Sequence, residues 1–151
     1  MSETQPTFSI EKLYVKDLSL EIPNAPQVFM QADSPQLEVK VHNEARKFGD
    51  GLYEVVVTVT VTAKAGEKTM FLAEAAQAGI FAIRGVPENE LAPLLGIVCP
   101  TVVYPYVRET ISDLVTRGGF PPVLLAPVSF EALYAQRTQQ QSAGPKIEIA
   151  S

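Results

Sequence analysis

Few residues in this chain have the chemistry of a catalytic centre, and their spacing does not bring them together. The only histidine is His42 and the only cysteine is Cys99. His42 alternates with Glu38 and Lys40 in the two-residue rhythm of a strand and reads as a solvated strand residue. Cys99 lies in the apolar stretch GIVCPTVV and reads as a small core hydrophobe rather than an activated thiol. A lone cysteine excludes an internal disulfide and, with one histidine, leaves no zinc-ligand cluster. The serines have no nucleophile-elbow context, and there is no G-x-S-x-G, P-loop or G-x-G-x-x-G. FGDGLYE is turn chemistry between strands. Carboxylate pairs such as Asp17/Glu21 sit on an open strand with no pocket to shift their pKa. The chain therefore reads as a binding protein rather than an enzyme, without a cofactor.

What remains is surface of two kinds. One is surplus apolar surface: Val28, Phe29 and Met30 in a loop, then Phe48, Phe120, Val123, Leu124, Leu125 and Phe130, several of them in proline-rich extended segments. A small sheet with two helices cannot cover all of these, so subunit interfaces or a groove are expected. The other is an acidic sheet face. The net charge is −5, with 12 Lys and Arg against 17 Asp and Glu. Such a balance disfavours a nucleic-acid backbone as partner, since that affinity depends on clustered cations, and it suits a basic protein.

Periodicity locates the strands and helices that carry these surfaces. A chain of 151 residues, 46% of them hydrophobic, predicts one domain. Four segments alternate as half-buried strands, at about 8–22, from Leu37 to His42, from Tyr53 to Thr62 and at about 68–81. The first changes phase, with Leu18, Leu20 and Ile22 opposite in parity to Leu13 and Val15, which predicts a bulge near 16–17. In the fourth, Phe71, Ala73 and Ala75 share one face, and Met70, Leu72 and Glu74 the other. The result is an α+β fold: one antiparallel sheet whose valine face is covered and whose other face carries Asp17, Glu21, Glu38, Glu54, Glu74 and a threonine ladder. A short helix is expected over 88–98. A longer one follows from Val102 to Arg117, with Pro105 in its first turn, Val103, Val107, Ile111, Leu114 and Val115 inward, and Gly118 as its cap. FPPVLLAP at 120–127 is extended, and Ser129 caps a last helix over 130–141, with Val128 and Leu133 as a hydrophobic staple. Residues 1–7 and 142–151 read as flexible tails around a single domain at 8–141. No apolar run approaches a membrane span and the N-terminus is no signal peptide, so a cytoplasmic location without membrane insertion is expected.

Several segments together carry a resemblance. YVKDLSLEIPNAP (14–26), YEVVVTVTVTA (53–63), FLAEAAQAGIFAI (71–83), the long run from CPTVVYPYVRE to LAPVSFEALYAQ (99–136) and the glutamines 139–141 resemble the SecB protein-export chaperones from about Phe8 to Gln141. That resemblance implies a four-stranded antiparallel sheet with helices on one face, assembled as a homotetramer, a dimer of dimers, with the 102–117 helix between dimers. It implies an ATP-independent chaperone that keeps unfolded precursor polypeptides translocation-competent and delivers them to the SecA motor ATPase. SecA would dock through its basic, zinc-containing C-terminal segment, the zinc belonging to SecA, onto Asp17, Glu21, Leu72 and Glu74. The client groove would be lined by Phe29, Leu37, Val39, Val41, Phe71 and Leu124. The chain departs from some relatives in lacking a tryptophan before the second strand and in ending on Lys146-Ile147-Glu148-Ile149 rather than an acidic tail. Two other readings differ in class: a SecB-like chaperone controlling a toxin–antitoxin pair, and a carrier of small apolar ligands.

Overall fold

The structure, a computed structural model, describes residues 5–31 and 34–143. The tails expected at 1–7 and 142–151 lie largely outside these residues. Of the parts described, Thr7 opens the first strand and residues 142–143 close the last helix. Four strands, β1 (Thr7–Glu21), β2 (Gln36–Gly49), β3 (Leu52–Ala65) and β4 (Lys68–Arg84), form an antiparallel sheet in the order β1-β4-β3-β2. Tight turns at Gly51 (φ 68°) and Gly66 (φ 65°) join β2 to β3 and β3 to β4. Glycine tolerates that left-handed backbone because it has no Cβ to strike the following carbonyl.

Every second residue of β3 from Tyr53 to Ala63, with Phe71, Ala73, Ala75, Phe81 and Ile83 of β4, forms the buried face. β1 keeps its apolar residues on that face only by inserting two extra residues. Its register shifts between Ile10 and Lys12 and again between Val15 and Asp17, the second at the expected place. Each bulge resets the parity, so Ile10, Leu13, Val15, Leu18 and Leu20 all share the inward side. A third irregularity, between Ala63 and Lys64 of β3, lies opposite Met70. It corrects one expectation: Met70 does not stand beside Leu72 but turns inward and is buried with Phe71. β2 also runs past His42, because its backbone keeps pairing with β3 while Asn43 takes an inward place. The Asn43 side-chain oxygen accepts a bond from Arg137 at 3.4 Å.

The cover is helical and nearly continuous. A short helix α1 (Glu88–Pro93) passes through a π turn (Leu94–Val98) into α2 (Cys99–Arg117). Two separate helices were expected. Instead the π turn leads straight into α2, which carries Pro100 in its first turn and Pro105 inside it. By length and composition, 88–117 is long and apolar enough to cross a membrane. Within it Val103, Val107, Ile111, Leu114 and Val115 join the core over the sheet, as their spacing predicts, whereas Val98 and Tyr106 stay exposed. The Thr110 hydroxyl donates to Gln77 Oε1 at 3.1 Å, satisfying the buried polar side chain on β4.

α2 ends in a Schellman turn, in which Gly119 N–H donates to Thr116 O and Phe120 N–H to Val115 O. The left-handed residue is Gly119 (φ 90°), not Gly118. Gly118 answers a different need, since a Cβ there would lie 2.8 Å from Leu20 Cδ2. From Pro121 to Ser129 the chain is neither helix nor strand, anchored by Tyr104, whose hydroxyl donates to Ala126 O at 2.6 Å. Burial pushes that phenol up, opposed by Arg108. The last helix, α3 (Phe130–Ala143), is capped by Ser129, whose Oγ accepts the Ala132 N–H at 3.1 Å. Val128 and Leu133 are both half-buried against the core. Gly96 in the π turn admits the ring of Tyr134, which a Cβ would meet at 2.7 Å.

Candidate functional site

Two surfaces lie on opposite sides of one sheet. On the helix side, the chain after β1 makes a short 3-10 turn (Gln27–Met30) that buries Val28 while leaving Phe29 46% exposed. Val28 was expected at risk of exposure, but the turn directs it into the core. Phe29, Phe120 and Phe71 form an aromatic chain, with centroids 5.2 Å and then 4.8 Å apart. These rings, with Leu37, Met70, Pro121 and Pro122, line an open cavity of about 460 Å³. Phe71 is its floor, only 2% exposed, whereas Phe29 and Leu37 form accessible walls. Phe120 and Met70 are lining residues that the strand pattern did not single out. The glycine pair that ends a helix before F-P-P is the signal, because it turns Phe120 back onto the sheet.

Beyond the cavity, Val39 and Val41 continue Leu37's inward stripe along β2. Among the described residues β2 pairs with β3 alone, and its stripe stays half-open, Val39 being 43% exposed. Leu124 stands apart. Burial alternates along this segment, so Val123 and Leu125 are buried and Leu124 is 84% exposed, over a second depression against Arg108, Ser112 and Thr116 of α2. Of the six groove candidates, Phe29, Leu37 and Phe71 meet in one cavity, Val39 and Val41 continue along β2 from it, and Leu124 lines an adjoining depression that shares Pro122 and Val123 with that cavity.

The outer side of the sheet is read as rows across the strands. One row runs Glu21–Leu72–Thr62–Glu38, the next Ser19–Glu74–Thr60–Lys40, the third Asp17–Ala76–Thr58–His42. All four docking candidates thus share one face within three rows. Asp17 and Glu21 are exposed, Leu72 and Glu74 half-buried, and Glu74 accepts the Thr60 hydroxyl at 2.9 Å. These rows hold four carboxylates and one lysine, and His42 Nε2 lies 3.6 Å from Glu44 in solvent.

Glu54 departs from the expected acidic face. It is 4% exposed, ion-paired to Lys16 at 2.9 Å and Arg46 at 3.1 Å, and it accepts the Tyr14 hydroxyl. Tyr14 and Lys16 reach it from β1 across β4, where small Ala76 and Ala78 leave room. Burial alone would raise the Glu54 carboxyl, but the hydrogen bonds from Tyr14, Lys16 and Arg46 outweigh it and hold the group below its ordinary value. Tyr14 is pushed up to about 12, first by burial and then by its bond to Glu54. Cys99 is fully buried, and burial pushes its thiol up to about 12, leaving it inert at neutral pH. Among the described residues, no His, Cys, Asp and Glu group has the arrangement of a metal site.

The family model described as preprotein translocase subunit SecB matches residues 1–141. The chain belongs to the SecB family. Relatives named protein-export protein SecB bear this out. That of Methylobacillus flagellatus is 61% identical over 140 residues, covering 93% of this chain and 89% of its own. That of Neisseria gonorrhoeae is 54% identical over 143 residues, covering 94% and 97%. A solved SecB-like chaperone of Mycobacterium tuberculosis, in complex with an antitoxin peptide, shares the fold at a TM-score of 0.66 and 19% identity, covering 80% of this chain and 90% of that one. As a member of that family, the chain is a protein-export chaperone.

Proposed function

We propose that the chain holds unfolded precursors on its apolar cavity and β2 stripe without ATP, and delivers them to SecA through the acidic outer face of the same sheet. The observation that carries this reading is the separation of the two surfaces. Phe29, Leu37 and Val39 face the helix side, whereas Asp17, Glu21, Leu72 and Glu74 face the other, so client and motor need not compete for one patch. Apolar contact is non-directional, so such a groove accepts many sequences and ignores folded proteins, whose apolar segments are already buried. One groove binds weakly once the client's ordering is charged against the contact.

Four grooves on a homotetramer would make each further contact intramolecular and raise avidity. Support for assembly comes from β1, an edge strand whose inward residues Phe8, Ile10, Val15 and Leu18 remain exposed beside α2. A second copy would cover them. The placement is cytoplasmic, where precursors emerge.

The test is titration calorimetry of the zinc-loaded basic C-terminal segment of SecA at two ionic strengths. Asp17→Lys, Glu21→Lys and Glu74→Lys should each weaken that binding and flatten its salt dependence while leaving arrest of precursor refolding intact. Equal loss of both activities would refute the separation. Light scattering with and without unfolded precursor tests the tetramer.

A further inference from the structure

We infer that Glu54 is a positioning residue for the acidic outer face: by holding the Lys16 ammonium it keeps that cation off the neighbouring Asp17, so that Asp17 stays open to a basic partner. The inference rests on the docking reading above and adds residues outside the four docking positions.

The geometry begins with the second bulge of β1. In an unbroken strand, Lys16 and Asp17 would point to opposite faces. Here the register shifts between Val15 and Asp17, so Asp17 stands opposite Ala76 on the outer face while Lys16 also reaches the outer face, at Glu54. The device that turns Asp17 outward therefore places a lysine next to it on the same side. An ammonium on a four-carbon stem beside an exposed carboxylate would ordinarily screen it, the more so for a partner recognised by its positive charge.

Glu54 removes that conflict. It lies in the row Lys12–Ile80–Glu54–Arg46, away from the acidic rows, and offers both carboxylate oxygens to Lys16 at 2.9 and 3.0 Å. Only Glu54's own side chain is buried; Lys16 keeps 42% of its side chain exposed. Its ammonium is thus held by a buried, multiply bonded acceptor in preference to a solvated one, and a carboxylate of lower dielectric surroundings is the stronger electrostatic partner. The outer face becomes polarised, with Lys16 and Arg46 gathered about Glu54 at one end and Asp17, Glu21, Glu38 and Glu74, with Lys40 among them, at the other. A purely structural Glu54 would tie the strands equally well whatever stood at position 17, which separates the two roles experimentally.

The experiment titrates the full-length protein with the zinc-loaded basic C-terminal segment of SecA, comparing wild type with Glu54→Gln, Glu54→Gln/Lys16→Met, Glu54→Gln/Arg46→Met and Asp17→Asn. Glu54→Gln should weaken binding about two- to fivefold, the worth of one exposed ion pair formed against the partner. Adding Lys16→Met should restore wild-type affinity. Arg46→Met, which restores the same net charge from the far side of Glu54, should restore less. Unchanged binding in Glu54→Gln while Asp17→Asn is impaired overturns the inference alone. So does a loss that neither second substitution repairs, or that both repair equally. Wild-type binding in Asp17→Asn overturns the docking reading, and the inference with it. Should Glu54→Gln not fold, the single variants decide: Lys16→Met should tighten binding no more than Lys40→Met, and a clearly larger gain at Lys16 overturns the inference.

Discussion

Replacing Leu37 and Val39 together with serine separates client binding from folding. Both residues point to the helix side from the open edge strand and are 47% and 43% exposed, so roughly half of each side chain is still available to a client. Full burial of such a side chain is worth roughly 1.5–3 kcal/mol, so the available half contributes roughly 0.7–1.4 kcal/mol, and the pair roughly ten- to hundredfold in the affinity of one groove. Client ordering costs the same in both proteins and cancels. Little stability should be lost, because an exposed edge position responds to substitution within about 1 kcal/mol. Phe71→Ala gives the contrast. At 2% exposure it belongs to the core, and its truncation should cost about 3–5 kcal/mol of a total near 5–15 kcal/mol. Its loss of client binding would then report unfolding. The assay pairs arrest of refolding of a denatured precursor with urea unfolding of each variant. A double-serine variant that unfolds like wild type and still arrests the precursor at the same concentration refutes the groove assignment.

Two further outcomes follow from the outer face and the helix cap. Glu54 is held below its ordinary value near 4.5, so folded protein binds fewer protons than unfolded chain there; its stabilisation is complete above that pH and lost as pH falls through the lower folded value. Urea unfolding across the acid range should show this step in wild type and not in Glu54→Gln, and ultraviolet titration should find the Tyr14 phenol moved back down from about 12 in that variant. Gly119→Ala must adopt φ 90° with a Cβ 3.2 Å from the Phe29 ring, so it should lose about 1–2 kcal/mol, lower Tm and weaken client binding by displacing Phe29. An unchanged Tm would show that the turn relaxes freely.

Much of this was legible in the amino-acid sequence because burial imposes period. The valines of β3, the inward row of α2, the serine cap of α3 and the parity change near residue 16 all follow from local alternation, which a strand or helix must obey wherever its partners lie. Asp17, Glu21, Leu72 and Glu74 fall on one face for the same reason. Tertiary contact decided the rest. Whether Phe71 is floor or wall depends on Phe120 folding back over it; whether Leu124 joins Phe29 depends on the path of the segment held at Ala126 by Tyr104. Met70 faces inward only because β3 and β4 slip register beside it. Glu54, in perfect alternation with solvent-facing threonines, is buried because Tyr14 and Lys16 cross two alanines from another strand to reach it. Alternation names the face a side chain occupies, but only the strands brought alongside determine what lies over it.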